Sequence, residues 1–100
     1  MVETRLRFAV ASDHPALAGH FPGAPILPGA VLLDWAWQAC RTQLPAGAVL
    51  AGVVQAKFLS PALPGDTLDF SVELHAEQLT FRCHAGDRRV AQGRFAWKPA

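Results

Sequence analysis

Apolar and polar residues alternate with a period of two through the C-terminal third of the chain. Over residues 67–77 the even positions are apolar and the odd positions are polar or charged, and a similar alternation covers residues 79–84. Phe95 and Trp97 share one face of a further stretch. Such alternation is typical of β-strands that bury one face, so it predicts strands here, with Gly86-Asp87 as a hairpin turn.

Two apolar stretches lack this alternation. Residues 29–44 are predicted to form the main helix, because Pro28 precedes them and Pro45 stops them. The helix is apolar on nearly all sides, so we expect the rest of the fold to enclose it. Residues 48–59 form the second apolar stretch, which we interpret as a central strand.

The order of these elements indicates the fold class. A short strand over residues 5–10 comes first, followed by a long loop with four prolines, the helix and the remaining strands. This order predicts an α+β architecture in which an antiparallel sheet curls around a single helix. One hundred residues suffice for one domain and are too few for two, so we expect residues 1–100 to form a single domain.

Composition and charge narrow the classes of partner. Apolar residues make up 51% of the chain, enough for a core and for further burial against a second copy. The net charge is +1 without a basic stripe, which disfavours nucleic-acid binding. The longest apolar stretch, residues 26–40, is interrupted by a proline and an aspartate and is too short to span a membrane. Residues 1–7 lack a secretory signal core, so we expect a soluble, cytoplasmic protein with Cys40 and Cys83 as buried thiols.

Four arginines gather near the C-terminus, at Arg82, Arg88, Arg89 and Arg94. Two interpretations are open at this point. The arginines form a solvated face of edge strands, or they form a shallow docking site for an acidic partner.

Asp34 is the unusual residue of the predicted helix. A charged, unpartnered carboxylate inside an enclosed helix costs several kcal/mol. Gln38 follows four residues later and therefore lies on the same helix face. The pair indicates either a polar functional pocket or a buried Asp–Gln hydrogen bond that fixes packing, and the spacing alone favours neither.

His20 and Gly29 are the other candidates for chemistry. His20 lies in a loop stiffened by Pro22, Pro25 and Pro28, and a rigid loop suits a general base, although a lone loop histidine is often structural or solvated. Gly29 opens the helix, where its N–H is an unpaired donor that can hold a carbonyl oxygen as negative charge develops. The alternative is that Pro28-Gly29 only turns the chain into the helix.

Other chemistries have little support in the sequence. The four histidines lack metal-ligand spacing, so no metal site is expected. Ser60 and Ser71 have no histidine or acid partner by spacing, Cys40 lies deep in the predicted helix, and no glycine-rich phosphate loop is present. We therefore expect neither a metal nor another cofactor.

Residues 19–29, Gly-His-Phe-Pro-Gly-Ala-Pro-Ile-Leu-Pro-Gly, are followed by Asp34 and Gln38. Together they resemble the signature of the β-hydroxyacyl-acyl carrier protein dehydratases of the FabA/FabZ type. Residues 56–58 and 64–68 resemble the family's second marker, a strand and a Pro-Gly-Asp turn. The resemblance implies a hot-dog fold and a homodimer. It also implies active sites at the subunit interface, with the histidine from one chain and the acid from the other.

The resemblance also implies roles for single residues. His20 matches the catalytic histidine, Asp34 the catalytic acid, and Gly29 the amide that binds the thioester carbonyl. Gln38 matches a glutamine that positions the acid, and Ile26 matches a residue whose backbone carbonyl orients the histidine. Pro28, the proline of the family's Pro-Gly turn, lies directly before the helix and supports the site.

The implied reaction is dehydration of a 3-hydroxyacyl thioester on acyl carrier protein to the trans-2-enoyl thioester, without a cofactor. The acid is Asp34, with Trp37-Gln38 following, which resembles the FabA type, whereas FabZ-type members usually have Glu at this place. Fatty acid synthesis and a polyketide-like pathway, such as that of the aryl polyenes, are both possible settings. Two alternatives remain: a hot-dog acyl thioesterase, and a non-catalytic hot-dog protein that binds acyl carrier protein or a partner subunit.

Overall fold

The computed structural model describes residues 3–11 and 27–99, with side chains from residue 6 onward in the first segment. In chain order the described elements are β1 (Glu3–Ala9), α1 (Gly29–Arg41), β2 (Val49–Phe58), β3 (Thr67–His75), β4 (Gln78–Ala85) and β5 (Arg88–Lys98). Within this part of the chain, no helix is long and apolar enough to cross a membrane.

The five strands form one antiparallel sheet in the order β1-β3-β4-β5-β2. Two hairpins connect its centre, and the second turns at Gly86-Asp87 as predicted, with Gly86 at a φ of 61° that glycine adopts without strain. The end of β1 is tied to the loop before β3, because Val10 N donates to Asp66 O and Gly65 N donates to Val10 O, both at 2.8 Å.

Helix α1 packs on one face of this sheet. Its buried side is made of Leu32, Ala36, Ala39 and Cys40. Aromatic rings join the two layers: Trp35 stacks on Phe8 with ring centroids 5.4 Å apart, and Trp37 meets Phe95 edge to face at 5.8 Å. The prediction of an α+β fold with an antiparallel sheet around one helix is therefore confirmed.

The helix ends earlier than predicted, at Arg41 instead of Leu44. The next residues form a tight turn in which Gln43 N donates to Cys40 O and Leu44 N donates to Arg41 O. Proline cannot continue a helix and disfavours helical backbone in the residue before it, so Pro45 acts upstream of its own position.

The expected full enclosure of the helix is wrong for a single chain. Ala30, Asp34 and Gln38 lie one turn apart and are all exposed, and we call them the exposed helix face. The sheet of one chain contacts only the opposite side of the helix. An almost wholly apolar sequence shows that both sides need cover, but it does not show which chain provides it.

The interpretation of residues 48–59 as a central strand is also wrong. Among the described strands β2 is at the edge of the sheet and pairs with β5. Nine of its ten residues are exposed, and we call this strand the β2 edge. The large apolar side chains exposed along it are Val49, Leu50, Val53, Val54 and Phe58. A long apolar strand is typical of a sheet interior, and at this edge its apolar side chains are left exposed.

Cys40 and Cys83 are both free and buried, which confirms the prediction of buried thiols. Burial raises the pKa of each thiol to about 12, and for Cys83 the nearby carboxylates of Asp69 and Asp66 add to the effect. Such thiols are inert at neutral pH and take no part in nucleophilic chemistry.

Candidate active site

The site begins at the first turn of α1. Pro28 precedes the helix with an extended backbone (φ −60°, ψ 143°), and its carbonyl accepts hydrogen bonds from Val31 N and Leu32 N at 3.1 and 3.2 Å. The amides of Gly29 and Ala30 therefore have no acceptor within the helix. The first turn carries no acidic side chain, so the positive end of the helix dipole is not neutralised there. These amides can stabilise a carbonyl oxygen that gains negative charge.

Phe58, the last residue of β2, covers this turn. A Cβ atom added to Gly29 would lie 2.9 Å from Cζ of the Phe58 ring, closer than carbon atoms normally approach. Glycine at position 29 thus allows the end of β2 to lie directly against the helix entry. The sequence indicates Gly29 as a donor, but it carries no signal for this packing role.

An apolar cavity of about 540 Å³ opens beside the helix entry. Its walls come from the helix entry (Leu27, Gly29 and Leu32), from Phe58 and from residues 59–62. This volume is in the range of cavities that bind small molecules. We call it the helix-entry cavity, and Gly29 is one of the residues that line it.

Asp34 and Gln38 form the second part of the site. Gln38 Nε2 donates a hydrogen bond of 2.9 Å to Asp34 Oδ2, and both residues are exposed in the single chain. The prediction that they share a helix face is confirmed. The expected burial of Asp34 is not present in one chain, because Asp34 lies on the exposed helix face.

The two parts of the site face different directions in one chain. Asp34 follows Gly29 by five residues, which in an α-helix is a rotation of about 140° and a rise of about 7.5 Å. Asp34 is not among the residues that line the helix-entry cavity. One chain therefore presents its amide to its own cavity and its carboxylate away from it.

Two of the predicted site residues, His20 and Ile26, lie outside the described residues. Their roles stay predictions. Pro28 is described, and its carbonyl caps the first helical turn as stated above. Within residues 3–11 and 27–99, no group of three or more His, Cys, Asp and Glu side chains is placed to hold a metal ion.

The four arginines near the C-terminus differ in their contacts. Arg88 is paired with Asp66. Arg82 Nη1 lies 3.9 Å from a carboxylate oxygen of Glu73, and both Arg89 and Arg94 are exposed without an ion pair to any described residue. The four arginines therefore do not form a uniform solvated face, because Arg88 is bound to Asp66.

The sequence model of the ApeI-like family, described as ApeI dehydratase, matches residues 2–94. The chain belongs to the ApeI-like dehydratase family. This confirms the resemblance to the dehydratases that was drawn from residues 19–38 and 56–68.

Individual relatives agree with the family assignment. The chain is 37% identical over 84 residues to a 3-hydroxyacyl-[acyl-carrier-protein] dehydratase FabZ from Ehrlichia chaffeensis, covering 76% of this chain and 59% of the relative. It is 41% identical over 85 residues to the FabZ of Thermus thermophilus, covering 77% and 57%. The chain thus spans little more than half the length of these curated relatives.

A solved structure supports the fold. A chain of the dehydratase heterocomplex ApeI:P from Xenorhabdus doucetiae is 29% identical and superposes with a TM-score of 0.85, covering 95% of this chain and 86% of that one. The predicted hot-dog fold is confirmed.

Proposed function

We propose that this protein is a 3-hydroxyacyl-[acyl-carrier-protein] dehydratase, which eliminates water from a 3-hydroxyacyl thioester to give the trans-2-enoyl thioester. The observation that carries the proposal is the first-turn amide of Gly29, which has no acceptor within the helix, at an apolar cavity of about 540 Å³. Membership of the ApeI-like dehydratase family and the hydrogen-bonded Asp34–Gln38 pair support it. In this proposal the chain acts as a single hot-dog domain.

The mechanism assigns one step to each group. The Gly29 N–H binds the thioester carbonyl and stabilises the negative charge that develops on its oxygen, which acidifies the α-carbon. His20 removes the α-proton. As the double bond forms, the bond from the β-carbon to oxygen breaks, and Asp34 donates a proton so that the hydroxyl leaves as water.

These groups are expected to contribute strongly to the reaction rate. Acid–base assistance is worth about 10²–10⁴-fold in rate, and a well-placed oxyanion donor about 10²–10³-fold. The elimination transfers no electrons to an acceptor, so it needs no redox cofactor. His20 then returns its proton to solvent and Asp34 regains one, which restores both groups.

We further propose a homodimer in which the β2 edge of one chain pairs with that of a second copy. An exposed apolar edge strand requires cover, and a two-fold arrangement of identical edges provides it. The contact of Phe58 with Gly29 places the end of this edge next to the helix entry. A second copy can therefore bring its Asp34 towards the cavity that Asp34 of the first chain faces away from.

Acyl carrier protein is the proposed donor of the substrate. Arg89 and Arg94 are exposed cations without ion-pair partners among the described residues, and they suit an acidic carrier. Arg82 is weakly paired and adds to the same surface.

The test is incubation with 3-hydroxyacyl-carrier substrates of several chain lengths, followed by mass spectrometry of the carrier and ultraviolet absorbance of the product. Loss of one water with a conjugated enoyl product is expected. Release of free thiol would instead indicate a thioesterase, and stable binding without turnover would indicate a non-catalytic binding protein. His20→Ala is the matched variant, and it is expected to lose turnover and keep the oligomeric state.

A further inference from the structure

Residues 59–66 connect β2 to β3 without regular secondary structure, and we call them the cavity loop. Residues 59–62 form one wall of the helix-entry cavity. At its start the loop is fixed to β5, because Leu59 N and Ser60 N both donate to Val90 O, at 2.8 and 3.3 Å. Ser60 Oγ also donates to Arg89 O at 2.7 Å.

A charged pair also holds the rest of the cavity loop, in addition to the backbone hydrogen bonds that Gly65 and Asp66 form with Val10. Asp66 Oδ2 accepts hydrogen bonds from Leu63 N at 2.8 Å and from Arg88 Nη2 at 2.5 Å. The same Arg88 Nη2 donates to Pro61 O at 3.2 Å. One guanidinium on β5 thereby joins two points of the loop. The Asp66 side chain is only 19% exposed, so solvent screens this pair less than it screens an ion pair on the open surface.

The cavity loop in turn holds the helix entry. Ala62 O accepts a hydrogen bond of 2.8 Å from Leu27 N, and both residues are buried. Leu27 directly precedes Pro28-Gly29, the turn that aims the first amide of α1. A connected path of hydrogen bonds and short chain segments runs from Arg88 through Pro61 and Ala62 to this amide.

We propose that Arg88 is a positioning residue of the active site. Through the Asp66 carboxylate and the Pro61 carbonyl it fixes the cavity loop, and through Ala62 it fixes the helix entry with the Gly29 amide. This separates Arg88 from the other arginines of the C-terminal group, which keep the role of carrier docking. The catalytic consequence rests on the proposed dehydratase function, whereas the mechanical coupling does not.

The first measurement needs no activity. Amide hydrogen exchange by mass spectrometry compares wild type with Arg88→Ala, Asp66→Asn and Arg88→Lys. The expected result for Arg88→Ala and Asp66→Asn is faster exchange in residues 59–66 and also in residues 27–32. Arg88→Lys keeps a cation at the same place without the planar fork, so it is expected to lie between wild type and Arg88→Ala.

The matched control is Arg7→Ala. It removes one arginine and breaks an ion pair of 2.8 Å with Asp69, but this pair is exposed and does not touch the cavity loop. Arg7→Ala is expected to leave exchange in both segments unchanged. Unchanged exchange in Arg88→Ala, or faster exchange in residues 59–66 without any effect in residues 27–32, would overturn the proposal.

The second measurement is kinetic. We expect kcat to fall by about 10- to 100-fold in Arg88→Ala, as displaced catalytic groups commonly produce. The loss is expected to be larger for a long acyl chain than for a short one, because the cavity wall moves together with the amide. A smaller folded fraction would lower the turnover of both substrates by the same factor, and that result would contradict a positioning role.

The two proposals fail separately. If the wild type releases no enoyl product, the dehydratase function fails and the exchange data still decide the coupling. If the wild type is active and Arg88→Ala keeps both its kcat and its chain-length preference, the positioning role fails alone. Should Arg88→Ala not fold, Asp66→Asn and Arg88→Lys carry the same comparison.

Discussion

Replacing Gly29 by alanine tests the close approach of β2 to the helix entry. The added Cβ would lie 2.9 Å from Cζ of Phe58, with Cε1 and Cε2 of the ring at 3.2 and 3.4 Å. Carbon atoms are most stable at separations of about 3.5–4.0 Å, so the ring must withdraw by roughly 0.6–1.1 Å. A ring that could not move would cost about 1–3 kcal/mol in overpacking.

The Phe58 ring can move, because it is 54% exposed in the single chain. Alanine also favours a helix over glycine by about 1 kcal/mol, which offsets part of the strain. We therefore expect Gly29→Ala to change the free energy of unfolding by no more than about 1 kcal/mol. Activity should suffer more, since a displacement of about 1 Å in a catalytic site can cost about 10²-fold in rate.

The assay combines thermal unfolding with the kinetics of enoyl formation. The expected result for Gly29→Ala is a small change in Tm and a fall in kcat/KM of about 10- to 100-fold. The compensating variant Phe58→Leu shortens the side chain that meets the new methyl group. In the double variant the coupling energy should be favourable, as it is for residues in contact. Full activity of Gly29→Ala, or additive effects of the two changes, would refute the reasoning.

Three further predictions follow from the site and the fold. Asp34→Asn should reduce turnover by at least about 10²-fold, and Gln38→Leu should reduce it by less, as measured by product formation. Circular dichroism should show little change in Tm for either variant. Near-normal activity of Asp34→Asn would exclude Asp34 as the acid. Val54→Lys places a charge on the β2 edge and should yield monomers by light scattering, whereas Thr80→Lys on the inner strand β4, which β5 separates from β2, should keep the dimer, and a dimeric Val54→Lys would contradict pairing through β2. Cys40 and Cys83 should resist alkylation until the protein unfolds. Because burial raises the pKa of each thiol from 9.0 to about 12, the thiols lose their protons at a lower pH in the unfolded state than in the folded state. The free energy of unfolding should consequently fall as the pH rises above 9, by up to about 1.4 kcal/mol per pH unit for each thiol. A free energy of unfolding that does not change with pH, together with ready alkylation of the native protein, would show that the thiols are not buried.

The strands that bury one face were predictable from the sequence. The alternation over residues 67–77 and 79–84 corresponds to β3 and β4, because each buries its apolar side against the helix and leaves the other side in water. The start of α1 at Gly29 was also predictable, since Pro28 fixes an extended backbone there. These features depend on neighbouring residues and on a regular period, and both are visible in the chain itself.

The position of β2 was not predictable in the same way. A continuous apolar run shows that a strand needs cover on both faces, but it does not identify the neighbour that supplies it. In this fold β2 pairs with β5 alone, so its apolar side chains stay exposed in one chain. The same reasoning applies to Asp34, whose apolar neighbours in sequence suggested burial although one sheet covers only the other side of the helix.

The sequence by itself determined the fold class, the buried thiols, the Asp34–Gln38 pair and the candidate residues of the site, because local period, helix spacing and family motif carry that information. Only the tertiary structure decided that Phe58 meets Gly29, that Arg88 bridges Asp66 and Pro61, and that residues 58–62 form a cavity with the helix entry that Asp34 does not line. These contacts join residues far apart in the chain. They depend on how the sheet folds over the helix, which no local pattern records.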